Sequence, residues 1–425
     1  MTALVKSLCI ALAIASVIPG IAGAQRARLD VGAEATGVVT RESPAIAGRD
    51  LTEGYLTQPL IMAQLGLWNG ALALKGTVDF EGVTMKRGEL NAGIVGEGYI
   101  DRRHPHTYLH ELVATAKREF GGTAVSLTAG KGFAPFGTDD PMSRPFEKYP
   151  INHHLAQILE RAVGIGAVRA GRLIVEGGLF NGDEPESAGD NPNRARYWDS
   201  WSTRATFLPF SQGEIQASYA RVKSPEVAAG GGADQRKQSA SIRLEDAQHS
   251  GYGLLEWAHT GEYVGGTKTH GFTSILAETW AKYEAVSGAI RLERTERPDE
   301  ARLSDPFRTA GPPSGQGLLG RSRWTILTAR VSASLREVAG LSLEPFAEVA
   351  RIHVAEDQTP AAFDPRQFYG ANRIWSVSLG AKLSFGMAHM RMGRYGAAST
   401  ESSSVKMGGM DMPGMKMGAM NPIHD

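Results

Sequence analysis

The feature that most constrains this chain is alternation of apolar and polar residues with a period of two, recurring along most of its length. In "ALALKGTVDFE", Leu72, Leu74, Val78 and Phe80 fall on one face, and Lys75, Thr77, Asp79 and Glu81 on the other. "SASIRLE" sets Ile242 and Leu244 against Ser241, Arg243 and Glu245. "VSGAIRLERTE" sets Val286, Ile290 and Leu292 against Ser287, Arg291, Glu293 and Thr295. "TILTARVSASLRE" sets Leu327, Ala329, Val331, Ala333 and Leu335 against Thr328, Arg330, Ser332, Ser334 and Arg336. This is the period of a β-strand whose two faces meet different surroundings.

A soluble sandwich also alternates, with one face on its core and the other in water. Strand length favours a membrane. The runs reach about 9–11 residues, as tilted membrane strands must, whereas globular strands average roughly 5–6. Aromatics near strand ends on the apolar faces (Tyr219, Trp257, Tyr283 and Trp375) suit an interfacial girdle. The expected fold is all-β, a closed antiparallel transmembrane β-barrel over residues 25–396. At about 22–25 residues per strand and connection it has about 16 strands, within a range of roughly 14–18. Gly/Pro-rich and charged intervals such as "NGDEPESAGDNPNRA" read as exposed loops, since alternation resumes after each. Only "NHHLAQILERAV" has helical spacing, through Leu155, Ile158, Leu159 and Ala162.

Residues 1–24 read as a secretory signal: Lys6, the apolar run "LCIALAIASVIPGI", then Ala22 and Ala24 before Gln25. The other reading of that run, a membrane anchor, is disfavoured by its short length and by Pro19 and Gly20. The only cysteine, Cys9, lies within it, so disulfides and thiolate metal sites are not expected beyond residue 24. Of 45 basic residues Lys6 leaves with the leader, and 44 then face 45 acidic ones. Such a balance has no basic surplus for nucleic acid.

"IWSVSLGAKLSF" alternates best of all, with Trp375, Val377, Leu379, Ala381, Leu383 and Phe385 facing one way. It resembles the closing strand of bacterial outer-membrane proteins, which implies recognition by the barrel-assembly machinery and contact with outer-membrane lipid. Those proteins usually end near that strand, whereas this chain continues past Phe385 to Asp425. "LTAGKGFAPFG" (Leu127–Gly137) and "GGLFNG" (Gly177–Gly182) resemble segments of phosphate-selective porin O/P-like proteins. That resemblance implies a porin for small solutes, a long loop folded into the lumen, and a homo-oligomer, trimers being common among related porins. Phosphate selectivity does not follow: the polar faces mix Arg243, Arg291, Arg330 and Lys382 with Glu245, Glu278, Glu293 and Glu348, and these eight are the expected pore lining.

The stretch "MGGMDMPGMKMGAM" holds Met407, Met410, Met412, Met415, Met417 and Met420, six of the 13 methionines in the chain. Its glycines and Pro413 oppose helix and strand, so a flexible ribbon over residues 397–425 is expected. Thioether sulfur is a neutral soft ligand suited to Cu(I), and His424 could help hold Cu(II). The segment resembles the Met-rich stretches of bacterial copper-resistance outer-membrane proteins, although theirs commonly lie near the N-terminus. The competing reading is a low-complexity or oxidant-scavenging tail. Upstream, "GMAHMRMGRYG" either continues the last strand or begins the tail.

His104, His106 and His110 form a second candidate metal cluster for Zn²⁺ or Cu²⁺, against ordinary polar loop residues. "GTDDPMSRPFEKYP" brings Asp139, Asp140, Arg144 and Glu147, read as a solvated acidic turn or as part of an inward loop. No nucleophile elbow, P-loop or dinucleotide fingerprint is present, so no enzyme activity and no required cofactor are expected. The expected function is passive diffusion of small solutes across a bacterial outer membrane, linked to copper through a periplasmic tail. The alternative is a copper-resistance barrel that sequesters metal without an open channel.

Overall fold

The computed structural model describes residues 27–45, 48–84, 106–139, 141–147, 149–185, 187–248, 250–300, 318–335, 337–338, 340–356, 366, 369–386 and 391–399. Sixteen antiparallel strands close into one barrel in which each pairs with its neighbours in sequence. They are β1 (Arg28–Ser43), β2 (Leu51–Leu67), β3 (Leu72–Asp79), β4 (Leu109–Phe120), β5 (Thr123–Gly132), β6 (Arg161–Ala170), β7 (Leu173–Phe180) and β8 (Ser200–Phe207). The second half comprises β9 (Gly213–Val222), β10 (Asp234–Glu245), β11 (Gly251–Val264), β12 (Thr267–Tyr283), β13 (Val286–Glu300), β14 (Leu318–Ala333), β15 (Leu341–Glu356) and β16 (Arg373–Gly386). The seam is β1 against β16, in register from Gly32↔Gly386 to Ser43↔Trp375. The fold class and strand number expected from alternation are those observed.

The alternation sorts by side of the wall. Outward positions carry Leu127, 71% exposed, Leu379, 61% exposed, and most other large aliphatic residues of the strands. Inward positions carry small hydroxyls that pair across the register: Thr40 with Ser378 at 2.7 Å, Ser274 with Thr295 at 2.7 Å, and Ser287 with Ser332 at 2.6 Å. An apolar exterior around a polar interior inverts the arrangement of a soluble protein and suits a wall that faces lipid. Among the described residues no helix is long and apolar enough to cross a membrane, which says nothing of a β-barrel.

One rim has short turns at Gly121–Gly122, Gly171–Arg172 and Glu284–Ala285, helped by positive φ at Gly121 and Gly171. The opposite rim carries the longer connections 133–160 and 181–199, with Gly265–Gly266 as a short exception. β16 ends at the short-turn rim. The helical spacing in "NHHLAQILERAV" yields only one turn, His153–Ala156. Gln157 is already extended (φ −143°, ψ 165°), and Ala162 lies in β6 paired with Lys131. Sheet pairing overrides the local pattern there.

The largest apolar cluster sits inside the wall, where Phe133, Phe136, Met142 and Tyr149 of the 133–160 connection meet Met392 and Tyr395. Two segments have therefore entered the barrel, one from each rim.

Candidate pore constriction

The inward course of 133–160 begins with glycine. Gly137 has φ +72°, and a Cβ there would lie 1.7 Å from the Ala156 carbonyl oxygen, so the hairpin-like return needs a bare Cα. Gly178 on β7 gives room to Pro135, whose ring would lie 2.7 Å from a Cβ at that position. The fragments "GFAPFG" and "GGLFNG" are thus packed together on the inner wall.

Asp139 is the tether of this loop. Its Oδ1 accepts from Arg144 Nε at 3.3 Å and Nη2 at 3.1 Å. Its Oδ2 accepts from Arg391 Nε at 3.0 Å and from Arg243 Nη1 at 3.4 Å on β10. Burial pushes the Asp139 carboxyl up, but Arg144, Arg391, Arg243 and Arg394 together hold it far below the usual carboxylate range. Arg144 also reaches Glu256 on β11 at 3.3 Å. Thr138 Oγ1 and Asn152 Nδ2 donate to the same carboxylate at 2.6 and 3.0 Å. The solvated acidic turn considered from sequence is therefore replaced by a buried, fully engaged aspartate, because arginines distant in sequence converge on it.

Further along, the loop crosses to the far wall. The Glu147 amide donates to Glu348 on β15 at 2.9 Å, and its carboxylate accepts from Tyr55 on β2 at 2.9 Å. The Ile151 amide donates to Glu293 on β13 at 2.8 Å. Phe146 lies under the Arg291 guanidinium, 4.4 Å from ring centroid to Cζ. Wall carboxylates accept hydrogen bonds from loop amides and pair with wall arginines at once.

The second insertion is residues 391–399, which turn back inward after β16 ends at Gly386. Arg391 bridges Asp139 and Glu214 of β9, at 3.0 Å to each. Arg394 pairs with the same Glu214 and donates to Gln216. Tyr395 donates to Glu111 of β4 at 2.7 Å and accepts from the Phe133 amide at 3.0 Å. The Ala397 amide donates to Ser126 of β5 at 2.9 Å. Arg204, paired with Glu176 at 2.5 and 2.8 Å, donates to both the Gly137 and Gly393 carbonyls and so holds the two insertions side by side. Of the two readings of "GMAHMRMGRYG", the strand stops at Gly386, Met392 is buried in the lumen, and Met387, His389 and Met390 lie outside the described residues.

The eight residues expected to line the pore all lie on inward positions. Arg243 pairs with Glu245 at 2.6 Å, Arg291 with Glu293 at 2.9 Å and Glu278 at 3.7 Å. Arg330 pairs with Glu348 at 3.7 Å, and Lys382 with Glu34 at 2.9 Å. Charges that look mixed in sequence are thus paired within the wall. Glu176, Arg204, Glu214 and Glu256 belong to the same interior, and the alternation around Arg204 in "STRATF" and around Glu176 in "LIVEGGLF" carries that in the sequence. Arg391 and Arg394 had none, lying past the last strand.

Met407, Met410, Met412, Met415, Met417, Met420 and His424 lie outside the described residues, as do His104 and Asp140. His106 and His110 are neighbours, with ring centroids 5.3 Å apart, yet their Nδ1 atoms engage different carboxylates: Glu81 for His106 at 3.0 Å, Glu160 for His110 at 2.7 Å.

No family model and no curated protein matches the chain. Among solved structures it is similar to an anion-selective porin from Comamonas acidovorans, at 9% identity over 85% of this chain and 100% of that one, with a TM-score of 0.49. It is also similar to the trimer form of OmpT, an outer-membrane protein of Vibrio cholerae, at 10% identity over 85% and 100%, TM-score 0.48. OpdO of Pseudomonas aeruginosa follows at 14% identity over 85% and 97%, TM-score 0.39. The barrel assignment rests on the strand pairing itself.

Proposed function

We propose that this chain is a narrow diffusion channel of a bacterial outer membrane, passing small solutes or ions down their gradients. The observation that carries the proposal is the inward loop 133–160, tethered at Asp139 across a closed, polar-lined wall. Such a loop sets bore and local charge without any energy source, which is how a passive pore selects. Paired arginines and glutamates leave no strong excess of either sign, so weak ion selectivity is expected. In this reading the short-turn rim faces the periplasm, the Met-rich tail hangs there, and β16 engages the assembly machinery. A homo-oligomer suits the apolar outer wall.

A second reading has one observation in its favour. Arg204, Glu256, Arg291 and Glu293 are each only 1% exposed inside the wall, which suits a sealed barrel whose Met407–Met420 segment sequesters copper. Conductance of the purified full-length barrel in planar bilayers, with and without copper, separates the two. Steady small openings support the channel, and a further copper-dependent block links the tail to it. Silent membranes combined with Cu(I) capture from a chromophoric chelator support sequestration. Channels without Cu(I) capture remove copper from the proposal.

A further inference from the structure

We propose that Asp79, Glu81 and His106 form a binding site for a borderline divalent transition-metal ion, with Zn²⁺ as the probe. The site lies on the inner wall at the long-connection mouth, apart from the Asp139 tether. Asp79 closes β3 with its side chain inward, and Glu81 follows two residues later in the turn Glu81–Thr84. His106 returns to them at the far end of the same connection.

The three ligand atoms all lie within 4.8 Å of one another. His106 Nδ1 is 3.0 Å from Glu81 Oε2 and 3.5 Å from Asp79 Oδ2. Bonds of about 2.0–2.1 Å in a tetrahedron put neighbouring ligand atoms roughly 3.3 Å apart, which the two imidazole-to-carboxylate spacings already match. Each carboxylate has one oxygen fixed and the other turned to the centre. Glu81 Oε1 accepts from Thr57 Oγ1 at 2.7 Å and from the Gln58 amide at 2.9 Å, and Asp79 Oδ1 accepts from the Glu81 amide at 2.8 Å. This is the outer support that orients metal ligands.

The independent observation is Asp79 Oδ2. Asp79 is 1% exposed, and this oxygen makes no hydrogen bond, with His106 Nδ1 lying 3.5 Å away. A buried carboxylate oxygen left so is expensive, and a cation at the centre would satisfy it. Two carboxylates and a neutral imidazole carry the charge that a divalent ion balances. An imidazole with few oxygens suits Zn²⁺ or a first-row neighbour, whereas Ca²⁺ takes six to eight oxygens and Cu(I) prefers sulfur. The His106 side chain, 10% exposed while both carboxylates are at 0%, is the edge through which an ion enters. Three protein ligands leave a coordination position for water. His110 does not join, since its Nδ1 is held by Glu160.

The test is Zn²⁺ titration of the folded full-length barrel in detergent, by calorimetry and by competition with a chromophoric chelator. One saturable ion per chain is expected, weakened by about tenfold or more in Asp79→Asn and in His106→Gln. His110→Gln and Met410→Leu are expected to bind as the parent does. Absence of saturable binding, or unchanged affinity in both site variants, overturns the proposal. Should those variants fail to fold, the zinc X-ray absorption spectrum of the parent decides. One imidazole with oxygen ligands supports the site, and sulfur or several imidazoles overturns it.

Discussion

Replacing Asp139 with asparagine keeps the side chain's size and one acceptor oxygen but removes the charge on which three guanidinium groups converge. Breaking a buried ion pair from one side costs about 3–5 kcal/mol. Here the lower end applies, because each arginine keeps a second carboxylate: Glu256 for Arg144, Glu214 for Arg391, Glu245 for Arg243. About 3 kcal/mol at 1.4 kcal/mol per tenfold raises the undocked loop population by roughly two orders of magnitude. The wall should not notice, since its ladders do not involve Asp139. Asp139→Asn is therefore expected to show parental resistance to heat unfolding in SDS gels. In planar bilayers it should show larger mean conductance and more frequent open-channel current steps. Parental conductance and noise, in a barrel confirmed as folded, would refute the tether.

Other perturbations probe the same interior. Tyr395→Phe strands the buried Phe133 amide and a Glu111 oxygen, each worth about 1–3 kcal/mol, so trypsin should cut after Arg391 or Arg394 at least about thirtyfold faster; equal cleavage rates would count against seating of that segment. Gly137→Ala forces a Cβ against the Ala156 carbonyl and should mimic Asp139→Asn in conductance while leaving the strands paired by circular dichroism. Asp139 has a folded pKa far below its ordinary 3.8, so its stabilising contribution is complete above that value and is lost only as pH falls through the much lower folded one. Current noise in the parent should then stay flat from pH 7 to pH 4, and a rise across that window that Asp139→Asn lacks would contradict the tether.

The wall was readable because a barrel strand repeats one rule locally: Arg291 and Glu293 sit inward for the same reason that Ile290 and Leu292 sit outward. The filling was not. "GTDDP" has the residues of an exposed turn, and nothing near Asp139 except Arg144 announces that Arg243 and Arg391 will reach it. "RMGRYG" looks like the start of a tail, since its partners lie on β4, β8 and β9. Around His106, neighbouring histidines drew attention to themselves, whereas the groups that face its Nδ1 are Asp79 and Glu81. A period-two reading could place those two on one face but could not bring a distant histidine to them.

The seating of residues 391–399 also dictates an order of events. Most wall contacts join strands adjacent in sequence, whereas Tyr395 meets Glu111 across 284 residues and Arg394 meets Glu214 across 180. Contacts so remote in the chain form slowly, because the intervening loop must first be closed. Once the wall is closed only the segment itself remains to be ordered, since the wall already holds Glu111, Ser126 and Glu214 where it will land. Barrel closure should therefore precede lumen packing, the first phase insensitive to Arg391, Arg394 and Tyr395 and the second governed by them.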